Sequence, residues 1–173
     1  MKHLLTIHES DIYPEKENLN PEDFKIRNAA RAIVLNDKGK IALLKANTYN
    51  YHKLPGGGVE PGEDMELALQ RELLEEIGCQ ADITSEVGEI IEYRDEWKMR
   101  QVSHCYLAKQ VGEQKASAFT QSEIDEGFEA VWADDIETAI KLLGQDKPES
   151  YDGLFIQRRD IQLLKTAQQI LNK

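Results

Sequence analysis

A chain of 173 residues, 40% hydrophobic and 31% charged, is long enough for one domain (residues 1–173) whose core needs no staples. Its net charge of −11, with no basic cluster beyond Arg158-Arg159, argues against stable nucleic-acid binding by phosphate neutralisation. No apolar run can span a bilayer, Met1–Leu5 is too short for a signal peptide, and Cys79 and Cys105 lack metal-like spacing, so a cytoplasmic, membrane-free chain with reduced, buried cysteines is expected.

His3–His8 reads as a short strand, and residues 9–25, with Pro14 and Pro21, as a polar surface connection; together they make an N-terminal strand and arm over 1–26. Arg27–Leu35 is a stronger strand. Asn36–Gly39 is a turn signal, and Lys40–Ala46 is expected to pair back as a hairpin, with Ala32, Val34, Ile41 and Leu43 as its apolar positions. Asn47–Leu54 leads into a glycine loop, with Tyr49 and Tyr51 expected to be exposed enough to meet a ligand.

The stretch Gly57–Cys79 carries the chemistry. Pro55-Gly56-Gly57-Gly58 lets backbone approach a ligand or ion closely. Pro61-Gly62 is a second turn signal, Glu63-Asp64 put negative charge at a helix N-terminus, and Gly78 stops the helix. On that helix Glu72, Glu75 and Glu76 stand at i, i+3 and i+4, within an arc of roughly 100°. Leu67, Leu74 and Ile77 are expected on the far side, against the core. Three carboxylates on one face repel unless a cation sits between them, and oxygen-only ligands suit Mg²⁺ or Mn²⁺. Arg71, four residues before Glu75, is expected to hold that carboxylate in place.

These residues resemble the Nudix box, G-x5-E-x7-R-E-U-x-E-E-x-G-U with U a bulky aliphatic residue, at residues 57–79. Gly57, Glu63, Arg71, Glu72, Leu73, Glu75, Glu76 and Gly78 match. Cys79 departs at the final position, where an apolar, buriable side chain should affect packing more than chemistry. Beside eight positions in one register, a plain solvated acidic helix is the weaker explanation.

Beyond the box, Ala81–Arg94 is a β-branched strand with a bend or bulge at Gly88, Asp95–Lys98 turns the chain, and Met99–Ala108 returns. His104 within it is assigned no role. Ser122–Glu129 is an acidic loop before a short strand, Ala130–Ala133. Asp134-Asp135 can cap a helix that Gly144 ends near Leu143, and residues 151–172 give a long amphipathic helix.

The resemblance implies an α/β fold, a Nudix-type α/β/α sandwich with a mixed β-sheet. It also implies hydrolysis of a phosphoanhydride in a nucleoside diphosphate linked to another group X. By matching position, Glu72, Glu75 and Glu76 would ligate Mg²⁺ (or Mn²⁺ in its place), with the Gly56 carbonyl as a further ligand, Arg71 orienting Glu75 and Glu63 supporting from behind. A glutamate before the Ala130–Ala133 strand would complete the metal site or activate water: Glu126 first, Glu123 second. The general base is then Glu72 or Glu126. Arg31 would bind a substrate phosphate unless it is an edge arginine paired to a surface acid. Tyr51, or His52 beside it, occupies the neighbourhood of the family's aromatic residue, and Tyr51 there either stacks on a base or packs on the sheet edge. The partner is a small-molecule nucleotide, and a homodimer is a family expectation. The alternative is a non-catalytic nucleotide sensor on the same fold, against which the intact box acids weigh; an isomerase would need a cysteine and acid pattern that is not present.

Overall fold

The computed structural model describes residues 1–172. In chain order the elements are β1 (His3–Ile7), α1 (Glu9–Ile12), β2 (Lys25–Leu35), β3 (Ile41–Ala46), β4 (Tyr51–Lys53), α2 (Met65–Ile77), β5 (Gln80–Arg94), β6 (Met99–Val111), α3 (Gln121–Asp125), β7 (Phe128–Ala133), α4 (Ile136–Gln145) and α5 (Tyr151–Leu171). The strands form one mixed sheet in the order β1-β5-β6-β2-β3-β4, with β7 along the other edge of β3. β1 runs parallel to β5 and β2 parallel to β6, while β5–β6, β3–β4 and β3–β7 are antiparallel.

Period-two alternation explains why helices cover both faces. Ala30, Ala32 and Val34 of β2 and Ala42 and Leu44 of β3 pack with Leu69, Leu73 and Ile77 of α2. The intervening Ile33, Ile41 and Leu43 point the other way, onto Leu143 of α4 and Leu163 and Leu164 of α5. The result is the expected α/β/α sandwich. Gly88 marks the expected irregularity in β5, where the β5–β6 register shifts between Glu86 and Gly88.

Three expectations are corrected. The β2–β3 hairpin holds at a single rung, Leu35 opposite Ile41. A turn signal fixes chain reversal but not pairing beyond it; here the free edge of β2 receives the glycine loop instead, through Ala32 N–H to the Pro55 carbonyl and Ala30 N–H to the Gly57 carbonyl. β3 therefore pairs along its length with β7. Gly144 does not end its helix, because α4 continues to Gln145 and closes at Asp146.

The third correction concerns the rotation of α2. Of the three residues assigned to its core face only Ile77 is buried; Leu67 is 66% and Leu74 42% exposed. The i, i+4, i+8 ridge Leu69–Leu73–Ile77 wins, because it presents three branched side chains in line to the alanine-rich floor of β2. That rotation carries Glu76, next to the ridge, into the interior. Leu73→Ala should cost about 2–5 kcal/mol, whereas Leu74→Ala should stay within about 1 kcal/mol. Urea denaturation of the two variants checks the orientation; a larger loss for Leu74→Ala would contradict it.

Candidate active site

The glycine loop is laid along β2 as a short extra strand, with Gly58 bridging Ala29 and Val59 N–H reaching the Asn28 carbonyl. Only glycine serves where it turns inward. Gly56 has φ +124°, and a Cβ there would lie 2.1 Å from the Ala30 carbonyl oxygen. A Cβ on Gly57 would lie 2.2 Å from the Glu72 carboxylate. The loop is thus wedged between β2 and the acidic face of α2.

Asp64 caps α2, accepting from the Glu66 and Leu67 N–H groups. At the other end Ser117 Oγ donates to the Glu76 carbonyl and Ala118 N–H to the Glu75 carbonyl, so the loop after β6 closes the helix. The three box acids differ in environment. Glu76 is 1% exposed; its Oε2 accepts the Gly56 N–H at 2.5 Å and its Oε1 faces Lys53 Nζ at 3.1 Å. Burial pushes its carboxyl above the usual range, opposed by Lys53 and that N–H. Glu72 accepts from Arg71 Nη1 at 2.7 Å. Glu75 is more open, and partial burial together with the Glu72 charge raises its pKa.

Arg71 does less for Glu75 than its spacing suggests. Its guanidinium forks onto Glu63, with Nε and Nη2 each at 3.0 Å, and also reaches the Gly58 carbonyl at 3.2 Å. Glu75 is an outlying partner at 3.7 Å. Glu63 is therefore the main partner of Arg71.

Among the described residues no three Asp, Glu, His or Cys side chains converge as a ready-made metal cluster. The donor set nonetheless fits a hard divalent cation: three carboxylates share one face, and one guanidinium meets the charge of Glu72 and Glu75 only in part. The Gly56 carbonyl, the candidate backbone ligand, accepts from Arg31 Nη1.

Beyond the Lys53–Glu76 pair lies a cleft of about 370 Å³. Arg31 lines it, but neither as an edge residue nor beside a surface acid: it is 5% exposed on β2, opposite Cys105 of β6. Burial and the nearby Arg159 charge push its pKa down to about 10. Tyr51 also lines the cleft, yet it is 2% exposed, packed with Ala46 and Ile156, so the expectation of exposure is corrected. It belongs to β4, whose register with β3 fixes it in the wall. His52, its alternative, instead ties β4 to the end of α4 through Asp146, at 3.0 Å from the ring and 2.6 Å from the backbone N–H. Glu126 and Glu123 both line the cleft. Glu123 Oε2 caps α3 through Thr120, whereas among the described residues the Glu126 carboxylate meets only Ser122 Oγ at 3.3 Å, leaving Glu126 the freer acid.

Sequence reasoning missed the polar layer behind this cleft. Arg94, at the end of β5, and Arg159, in α5, both donate to Glu92, at 2.8 and 3.3 Å. Asp160 accepts from Arg159 Nε at 2.7 Å and from the Leu54 N–H at 2.8 Å, tying α5 to the residue just before the glycine loop. Lys53 was equally unforeseen. Its position two residues before Pro55 was the one available signal; the arginines sit in otherwise apolar or mixed runs with no periodic mark.

Fold and site together define an α/β/α sandwich whose functional face is built on one glycine loop and one acidic helix. A NUDIX domain model matches residues 25–153, and the chain belongs to the Nudix family. It is 44% identical over 59 residues to a Bacillus subtilis (strain 168) protein named, provisionally, as an 8-oxo-dGTP diphosphatase, a stretch covering 34% of this chain and 40% of the relative. It is 32% identical over 77 residues to the RNA pyrophosphohydrolase of Wolbachia pipientis subsp. Culex pipiens (strain wPip), 44% of each chain. These matches span less than half the length of either relative. Among solved structures, the Escherichia coli ORF135 protein superposes with a TM-score of 0.59 at 24% identity, over 85% of this chain and 91% of that one. A NUDIX hydrolase from Nitrosomonas europaea gives 0.64 at 17% identity, over 84% and 90%. At such identities the likeness speaks for the fold alone.

The buried Glu92 makes stability pH-dependent. Burial alone would raise its pKa, but the Arg94 and Arg159 charges and the hydrogen bonds from Arg94 and Gln101 outweigh it and hold the carboxyl at about 2 instead of the ordinary 4.5. A depressed folded-state pKa contributes stability above the ordinary range that is lost as pH falls toward about 2. Thermal melts should show Glu92→Gln less stable at neutral pH and with a shallower decline below about pH 4.5 than the parent. Parallel declines would contradict this account.

Proposed function

We propose that this chain is a divalent-metal-dependent hydrolase of a phosphoanhydride bond in a nucleoside diphosphate linked to another group X. One observation carries the reading: the Glu72, Glu75 and Glu76 face meets a cleft lined by Arg31 and Lys53 at the Lys53–Glu76 contact. Acids for a cation and cations for phosphate stand side by side. Residue identity at the box and the diphosphatase and pyrophosphohydrolase names of the two relatives agree with it.

Bound Mg²⁺ or Mn²⁺ would be held by Glu72, Glu75 and Glu76, with the Gly56 carbonyl and Glu126 as further ligands, and would supply charge neutralisation on the phosphoryl oxygens. The chain's own groups do the rest. Arg31 and Lys53 bind phosphate oxygens, and Tyr51 shapes the wall against which the nucleotide lies. Glu126, or Glu72 in its place, takes the proton of the attacking water as the bond from phosphorus to the bridging oxygen breaks. Arg71, locked on Glu63, holds Glu72 in position as a positioning residue. No helix among the described residues is long and apolar enough to cross a membrane. We place the enzyme in the cytoplasm, acting on a free nucleotide, with a second copy of itself as the expected partner.

The test is a phosphate- and pyrophosphate-release screen over nucleoside triphosphates, nucleotide sugars and dinucleoside polyphosphates, with Mg²⁺, with Mn²⁺ and with chelator. Turnover should require the metal, and Glu75→Gln and Glu76→Gln should each lower it by a factor on the order of 10³. Equal turnover in the variants contradicts the site. Silence across the panel with tight nucleotide binding would favour the sensor reading instead.

A further inference from the structure

The layer between the sheet and α5 holds more cations than the protein itself neutralises. Arg31, Arg94 and Arg159 are each 5% exposed or less, while the carboxylates paired to them are Glu92 and Asp160, and the buried Asp95 next to Arg94 turns to the N-terminal arm. Lys53 and Glu76 pair beside them, and Arg27 stands at the mouth, its Nη1 on Gln101. The donors are counted as unfavourably as the charges. Arg94 gives Nη2 to Glu92 and Arg31 gives Nη1 to Gly56, yet among the described residues the Nε of each meets no acceptor, nor does Nη2 of Arg159. Buried guanidinium N–H groups without acceptors are costly, and an anionic oxygen is the partner their fork geometry suits.

Two of these three arginines, Arg31 and Arg94, line the cleft. The Arg94 guanidinium lies 5.4 Å from the ring centres of both Trp97 and Phe155, which fix its plane. Trp97 in turn packs on Tyr151 at 5.3 Å, and Tyr151 is held by Glu9 of the N-terminal arm at 2.5 Å. Asp95, next to Arg94, accepts the Leu19 N–H of the same arm at 2.7 Å. The arm lies ahead of residues 25–153, the stretch that the family model matches. The carboxylates that also line the cleft, Glu123, Glu126 and Asp152, come from α3, its cap and the start of α5, not from the arginine wall.

We propose that the wall formed by Arg94 and Arg31 is an anion subsite, so that X in the substrate is itself negatively charged: a terminal phosphate or a carboxylate-bearing sugar in preference to a neutral sugar. The wording in terms of X rests on the hydrolase reading above; the anion subsite itself does not. Bound anion would meet the charge of the Arg94 and Arg31 guanidinium groups at the cleft wall, and a neutral X would leave that charge without a partner there.

The experiment has two arms. Inorganic pyrophosphate is titrated calorimetrically, in chelator, into the full chain and into Arg94→Gln; binding should weaken about 10- to 100-fold in the variant. Turnover with metal is then compared for a nucleoside diphosphate glucose, the matching glucuronate and the triphosphate of the same base. The glucuronate or the triphosphate should exceed the glucose compound in kcat/KM by about tenfold or more, and Arg94→Gln should erase the difference; which of the two gains distinguishes carboxylate from phosphate. Equal pyrophosphate affinity in parent and variant, or turnover indifferent to the charge of X, overturns the subsite. Absence of all turnover with Arg94-dependent pyrophosphate binding would instead overturn the hydrolase reading and leave the subsite standing. Should Arg94→Gln not fold, Arg94→Lys keeps a charge for Glu92 but loses the fork, and unchanged pyrophosphate affinity there is equally decisive against it.

Discussion

One peptide unit holds the site together. Gly56 gives its N–H to Glu76 and its carbonyl to Arg31, so a single residue joins α2 on one face of the sheet to the arginine layer on the other. This is possible because Gly56 lies against the Ala30 carbonyl, closer than any side chain would allow. The buried Glu76 and the buried Arg31 each have a polar partner through it, which is the condition for leaving charged groups in a dry interior. Loss of that contact would leave the buried Arg31 without its acceptor and Glu76 with Lys53 alone.

From this pivot the charges divide by chemistry. Acids gather on α2, where the helix spacing puts them together and Arg71 with Glu63 braces them from behind. Cations gather in the cleft, and Lys53 stands at its boundary with the acids: it pairs with Glu76 and lies 4.5 Å from the centre of the Phe128 ring, which also lines the cleft. A cation on the acids and a polyanion on the cations would satisfy both sets at once. The two sets share a boundary only a side chain wide.

The sequence made the acidic half legible and left the basic half dark, for a physical reason. Glu72, Glu75 and Glu76 are neighbours through local helix geometry, and the glycines around them mark backbone approach, so both can be read from spacing. Arg31, Arg94 and Arg159 lie on β2, β5 and α5, and only the sheet order brings them together. Tyr51 shows the same limit: its aromatic character was plain, but its burial depends on Ile156, more than a hundred residues on. Even within α2 the local pattern left two ridges open, and the alanine floor of β2 chose Leu69–Leu73–Ile77 over Leu67 and Leu74. The layer architecture was readable through the resemblance that the box carries, and the continuous burial along β2 and β3 agrees with cover on both faces.

The central claim is that the acidic face of α2 binds a divalent cation. Electron paramagnetic resonance of a Mn²⁺ titration tests it without any assumption about substrate. The account predicts saturable loss of the free-ion signal with the parent chain, weakened about tenfold or more by Glu72→Gln or Glu75→Gln, with circular dichroism unchanged. A free-ion signal that falls equally in parent and variants, or does not fall at all, would contradict it.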